Sequence, residues 1–304
     1  MPEYRAHFDF DIRFANGGGL TGEAFRLDVP SDTVTERELQ LLLVEHLGLT
    51  LVGSVEISGL RIVEEPHRGS RGVAPAAQPV ESRRVIDLSH PIRAGLVTYP
   101  GLPAPTITPH LTREDSRAKY APGTEFAMDI LTMVGNTGTY LDSPFHRYAE
   151  GSDLAGLDLS TLVGLPAEVF HLEDAWGPEN RGIGPETLAD RNVGGAAVLL
   201  HTGWDRWFGM PEYGRGAPFL TGDAAQWLID AGVVLVGIDS VNIDDTESGG
   251  TRPAHSLLLG AGVHVVEHLT HLGELPPQGA RFTAAPPAVE GFGTFPVRAF
   301  AEVD

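Results

Sequence analysis

From Pro66 to Arg83 the sequence is rich in Gly, Ser, Pro, Ala and Arg and shows no apolar periodicity. Such a stretch cannot present a hydrophobic face to a core, so it marks a break in the fold. It divides the 304 residues into a small module (residues 1–66), a linker (67–83) and a large domain (84–304). A chain of this length is expected to hold one large unit and a smaller appendage.

Ahead of the break, Phe8, Phe10, Ile12 and Phe14 alternate strictly, Asn16-Gly17-Gly18-Gly19 interrupts, and Phe25, Leu27 and Val29 alternate again. Period two predicts two strands joined by a turn. No Lys-Ser/Thr follows the glycines, so they read as a turn and not as a phosphate loop. Thr35 and Glu38 spell a capping box ahead of Leu39, Leu42, Leu43 and Leu47, with Gly48 where a helix would stop. Val55 and Ile57, then Leu60 and Ile62, predict one or two further strands, making a small α+β module. After the break, strand-like runs at residues 85–88, 196–201 and 233–237 alternate with loops and helical stretches, among them residues 223–231. This pattern predicts an α/β domain with a mixed sheet. The 37 Gly and 23 Pro of the chain fit long loops, where function concentrates.

Composition excludes several functions. Against 21 Lys plus Arg stand 41 Asp plus Glu, a net charge of −20 that repels nucleic-acid phosphates and anionic lipid. No nucleic-acid or membrane partner is expected, and the acidity itself needs no reading beyond solubility. Cys is absent, so a metal could be held only by His, carboxylate or other oxygen donors. The start, MPEYRAHFDFDIRF, lacks a basic region followed by an apolar run, and no long uninterrupted apolar stretch occurs. A soluble, cytoplasmic protein is expected.

The densest polar constellation is Asn136-Thr137-Gly138-Thr139-Tyr140-Leu141-Asp142-Ser143-Pro144-Phe145-His146, after an expected strand through Phe126, Met128 and Ile130. Local chemistry alone allows an elaborate turn as readily as a site. The segment resembles the HxGTHxDxPxH signature of the cyclase superfamily, whose best-known members are bacterial kynurenine formamidases. Gly138-Thr139, Asp142, Pro144 and His146 match its frame, while its first two His fall on Asn136 and Tyr140. Residues 86–91 (IDLSHP), 99–101 (YPG), 201–204 (HTGW) and 236–239 (VGID) are similar to the same family in the same order. A final block runs from Ala254-His255 to Glu267 and Leu269, so the resemblance covers roughly residues 84 to 304.

The resemblance implies a cyclase-like α/β fold, a mixed β-sheet with a barrel-like core and flanking helices. In binuclear members one metal uses the two signature His with the Asp, and the other shares that Asp with a distant His and Glu. Carried over, only the second set survives, with Asp142, His255 and Glu267 as ligands of one divalent metal, zinc or manganese. The amide of Asn136 and the phenol of Tyr140 are poorer ligands than imidazole, and a site with no metal, its residues only hydrogen-bonded, is the other outcome. His146 matches the family's acid/base His, a side-chain type that exchanges protons near neutral pH. Tyr99, Asn136, Phe126 and Trp204 are the substrate-binding candidates, although core packing is the stronger reading of Phe126 and Trp204. His264-Val265-Val266-Glu267-His268 also spells the inverted zinc-protease pattern. Its β-branched run predicts a strand, which would point His264 and Glu267 to opposite faces.

Three functions follow. The first is a cyclase-family hydrolase acting on a C–N or ester-like bond of a small molecule with one metal. The second is a metal-independent cyclase, lyase or isomerase of secondary metabolism using Tyr140 and His146 for proton transfer. The third is a non-catalytic binding protein. The family resemblance also implies a homo-oligomer.

Overall fold

The computed structural model describes residues 4–64 and 83–303. Apart from Arg83, the linker assigned to 67–83 lies outside the described residues. The chain divides into two compact units, Met1–Gln78 and Pro79–Asp304.

In the first unit, β1 (Tyr4–Phe14), β2 (Gly19–Val29) and β3 (Val52–Glu64) form an antiparallel sheet in the order β2-β1-β3. The turn at Asn16-Gly17 closes with the Phe14 N–H donating to the Gly18 carbonyl at 2.8 Å, and Gly17 takes φ +95°, which its missing Cβ permits. Helix α1 (Glu36–His46) begins with the reciprocal cap that the sequence spells: the Thr35 N–H donates to Glu38 Oε2 at 2.9 Å, and the Glu38 N–H to Thr35 Oγ1 at 3.3 Å. Its Leu39 and Leu43 pack with Phe8, Phe10 and Ile12 of β1. Leu60 and Ile62 continue β3 and do not form a strand of their own. The change of phase after Ile57 is taken up near Gly59 (φ +67°), where the β1–β3 register shifts.

The strands of the second unit are β4 (Arg84–Asp87), β5 (Thr106–Leu111), β6 (Met128–Thr132), β7 (Tyr140–Asp142), β8 (Leu165–His171), β9 (Gly182–Ile183), β10 (Ala197–His201), β11 (Phe219–Leu220), β12 (Leu235–Ile238), β13 (His264–Glu267), β14 (Arg281–Thr283), β15 (Thr294–Pro296) and β16 (Phe300–Val303). The helices are a single turn α2 (Arg113–Ser116), α3 (Gly222–Asp230) and α4 (Pro253–Gly260). Nine strands form one curled mixed sheet in the order β15-β7-β13-β12-β10-β8-β14-β16-β4. Its centre, β8-β10-β12-β13, is parallel, and β7, β14, β15, β16 and β4 join antiparallel.

Every residue of β10, β12 and β13 is buried because both sheet faces are covered, which is why their centres are apolar and their polar residues, His201, His264 and Glu267, stand at strand ends. Leu199 of β10 packs on one side with Val169, Leu235, Val266 and Phe282. Val198 and Leu200 pack on the other side against Leu228 of α3 and Leu258 of α4. Each such side chain stabilises the fold by roughly 1.5–3 kcal/mol through burial. Two features position the site. The loop after β12 and the last residue of β13 lie at the carboxyl ends of parallel strands, where open α/β sheets place their ligands. β7 pairs with both β13 and β15, which sets Asp142 opposite Val265 on one side and Thr294 on the other. The β5–β6 pair is a separate two-stranded ribbon, and all of β6 is exposed. Among the described residues no helix is long and apolar enough to cross a membrane.

Candidate active site

Asp142, His255 and Glu267, on β7, α4 and β13, are brought together with one ligand atom of each within 4.8 Å of the others. His255 Nε2 lies 3.4 Å from Asp142 Oδ2 and 3.5 Å from Glu267 Oε1. Asp244, in the loop after β12, holds the imidazole in place. Its Oδ2 accepts from His255 Nδ1 at 2.7 Å and from the His255 N–H at 3.0 Å, while Oδ1 accepts from the Ala254 N–H at 2.7 Å. It thereby caps α4 from a distance, a service that Arg252, the residue at the N-cap position, does not perform. With its proton on Nδ1, His255 turns the Nε2 lone pair toward two carboxylates.

Glu267 is fully buried and held on both oxygens. Oε1 accepts from the Ile243 N–H at 2.6 Å, and Oε2 accepts from the Tyr140 hydroxyl at 2.5 Å and from Asn242 Nδ2 at 3.5 Å. The Tyr140 hydroxyl, having one proton to give and giving it to Glu267, accepts from His268 Nε2 at 3.3 Å. His268 Nδ1 then accepts from the Tyr213 hydroxyl at 2.8 Å. This chain of bonds requires a neutral His268, and burial pushes that imidazole down to about 3. Burial, followed by the charges of Glu267 and Asp142, raises Tyr140 well above the usual phenol value, so the hydroxyl keeps its proton.

Thr294 closes the site from the other side. Its hydroxyl donates to Asp142 Oδ1 in a very short contact, so toward His146 Nδ1, at 2.6 Å, it can only accept. His146 therefore carries its proton on Nδ1 and keeps the Nε2 lone pair free on a ring 37% exposed. The close approach of Thr294 depends on Gly293. A Cβ there would stand 2.4 Å from the His146 backbone nitrogen.

The site fits a cation. Asp142 Oδ2 is buried and accepts no hydrogen bond, and it faces Glu267 Oε1 and the His255 lone pair with no donor among them. Without a metal the same demand falls on protons. Burial alone would lower His255, but the Glu267 charge, the bond to Asp244 and the bond a second proton on Nε2 would make to Asp142 raise it to about 10. Burial raises Glu267 to about 7 against the opposing charge of His255. A buried cluster of this charge is costly unless a positive partner compensates it.

A cavity of about 650 Å³ opens onto the cluster, lined by Asn136, Tyr140, His146, Arg147, Arg252 and His255 among others. The remaining aromatic candidates lie elsewhere. Phe126 is 52% exposed and packs edge-on against Tyr120. Trp204 donates Nε1–H to the Tyr213 carbonyl, packs in a cluster with Tyr99 against it, and lines a second cavity of about 900 Å³ with Trp176 and Trp207. As expected for the protease-like pattern, β13 is a strand, and His264 points away to Thr161 Oγ1 at 2.9 Å. Asp244, Asn242 and Thr294 carry no expectation from the sequence, and His268 appears there only in the protease-like pattern. The sign of Asp244 is Arg252-Pro253, a helix start with no capping side chain.

The Cyclase family model matches residues 86–245. The kynurenine formamidase of Geobacillus thermodenitrificans (strain NG80-2) is 32% identical over 215 residues, covering 70% of this chain and 95% of the relative. Among solved structures, a potential metal-dependent hydrolase with cyclase activity superposes with a TM-score of 0.60 at 26% identity, covering 73% of this chain and 99% of the other. Isatin hydrolase A from Ralstonia solanacearum does so with a TM-score of 0.61 at 25% identity, covering 73% and 92%. Sheet, site and relatives agree: the chain belongs to the cyclase family, and it is a hydrolase of that family.

Proposed function

We propose that the protein hydrolyses the C–N bond of a small amide, with Asp142, His255 and Glu267 holding one divalent cation and His146 carrying the proton. The convergence of Asp142 Oδ2, a buried oxygen with no hydrogen-bond partner, with a Glu267 oxygen and His255 Nε2 on one point carries this reading. One imidazole nitrogen and two carboxylates suit zinc or manganese. When bound, such a cation supplies Lewis acidity that polarises a carbonyl and makes water more acidic.

The protein's own groups do the rest. His146 Nε2, freed by the Thr294 contact, takes the proton of the attacking water and returns it to the departing nitrogen. Asn136 lines the cavity beside Tyr140 and offers an amide to the substrate. Tyr140 supports Glu267 and does not transfer protons, because its hydrogen is committed to a buried carboxylate. That commitment disfavours a metal-independent cyclase, lyase or isomerase working through Tyr140 and His146. A retained base, ligand set and open cavity disfavour a purely binding role. The relatives named for formamide and isatin hydrolysis support an amide as substrate.

The exposed Ile107, Phe126, Met128, Ile130 and Leu131 on and beside the β5–β6 ribbon support a homo-oligomer. The charge of −20 and the absence of Cys support a cytoplasmic protein without nucleic-acid partners. The test is hydrolysis of a panel of formanilides and cyclic amides by chelated protein, then after addition of zinc or manganese. Turnover that appears only with metal supports the reading, and turnover indifferent to chelation would remove it.

A further inference from the structure

The cavity over the site carries two guanidiniums, Arg147 after the signature segment and Arg252 before α4. Neither ion-pairs with a carboxylate among the described residues. Arg147 Nε donates to Ser256 Oγ at 3.3 Å, and its guanidinium lies 5.2 Å from the Tyr148 ring centre. Arg252 Nη1 donates to the carbonyls of Asp245 at 3.2 Å and Thr251 at 2.8 Å. Both contacts position a guanidinium without neutralising it. Other arginines of this unit, Arg206 and Arg281 among them, also make no ion pair among the described residues, but of the described arginines only Arg147 and Arg252 line this cavity.

Glu267 is the one carboxylate among the described residues lining this cavity, and it is turned inward to Tyr140 and Ile243. Once a divalent cation offsets Glu267 and Asp142, the lining is left net positive by two guanidiniums. Guanidinium is also the side chain whose fork of donors best matches a carboxylate.

We infer that the substrate carries a carboxylate in addition to the amide that is cleaved, and that Arg147 and Arg252 recognise it at the mouth of the cavity. This inference rests on the hydrolase reading for its chemistry but not for its binding test. Its position is that of a specificity determinant, since the arginines hold the end of the substrate away from the reacting carbon. A charge-assisted contact of this kind shifts selectivity by about ten-fold or more per guanidinium.

Two probes differing by one carboxylate test it: 2-formamidobenzoate and formanilide. The wild-type protein is expected to hydrolyse the first with kcat/KM at least about ten-fold higher. In Arg147→Gln/Arg252→Gln that ratio is expected to collapse toward one, mainly through KM, and in Arg252→Lys to recover in part. Equal efficiencies on the two probes in wild type would overturn the inference while leaving the hydrolase reading intact. Binding of the fluorescent product 2-aminobenzoate gives a readout free of turnover. Affinity is expected to fall about ten-fold in the double glutamine variant and to weaken with added salt in wild type. Affinity unchanged by both would overturn the inference. Binding that depends on the arginines, in a protein that hydrolyses neither probe, would uphold it and count against the hydrolase reading alone.

Discussion

Replacing Tyr140 with Phe removes one oxygen atom and separates two readings of the site. The hydroxyl donates to Glu267 Oε2 at 2.5 Å inside a fully buried cluster. A hydrogen bond to a charged group contributes about 1.5–3 kcal/mol. Its removal leaves that oxygen with only the 3.5 Å contact from Asn242, and it deprives the His268 Nε2–H of its acceptor, which adds about 1 kcal/mol. The metal-free variant should therefore be destabilised by roughly 2–4 kcal/mol. For a unit of this size that lowers Tm by roughly 4–16 °C. Thermal unfolding in excess chelator measures it, and the same melt with zinc or manganese should show a smaller difference because the cation takes over the charge of Glu267. Turnover with metal present should fall by less than the roughly 10²–10⁴-fold that loss of a general acid or base costs. An unchanged melting temperature in chelator would refute the support role of Tyr140. A loss of turnover in that larger range with metal occupancy intact would make Tyr140 a proton donor, as the metal-independent reading requires.

Other outcomes follow from the same geometry. His146→Gln should cost about 10²–10⁴-fold in kcat with metal content unchanged, measured by parallel kinetics and elemental analysis. Thr294→Val should lower kcat by about ten-fold or more while Thr294→Ser restores it, because only the serine keeps a hydroxyl between Asp142 and His146. Asp244→Asn turns one of the two accepting oxygens into an NH2 donor and removes the charge that orients His255, and should weaken metal affinity by about 10–100-fold in a chelator competition. In metal-free protein the folded values of His255 and Glu267, about 10 and about 7, both lie above their unfolded ones. Their stabilisation is present at low pH and is lost as pH rises, first through about 7 and then toward about 10. Chelated protein should therefore melt lower at about pH 9 than at about pH 6, with metal affinity rising over the same interval; the opposite trend would contradict the proton-for-metal exchange.

Much of the site lay open to a reading of the sequence because Asp142, His146, His255 and Glu267 fall in segments that resemble the cyclase family, and for residues 136–146 local chemistry alone left a turn as the equal alternative. Asp142 and Tyr140 stand in a Gly- and Pro-punctuated run at a strand, and β13 was legible from the β-branched Val265 and Val266. The capping box of α1 was legible because its bonds span three residues. The roles of Thr294, Asp244 and His268 were not, since each acts on a partner ten or more residues away and only strand pairing and loop closure decide the match. The aromatic candidates show the converse. A Trp or Phe carries no local sign of which cavity it will line, so Trp204 and Tyr99 went to a neighbouring cluster and Phe126 to the surface.

The most direct measurement is the metal content of the purified protein set beside its amide hydrolysis, for wild type and His255→Gln. One equivalent of divalent cation per chain, absent from His255→Gln, with hydrolysis lost on chelation and restored by zinc or manganese, is the expected result. Full hydrolytic turnover by protein stripped of metal would contradict the assignment of Asp142, His255 and Glu267 as its ligands in catalysis.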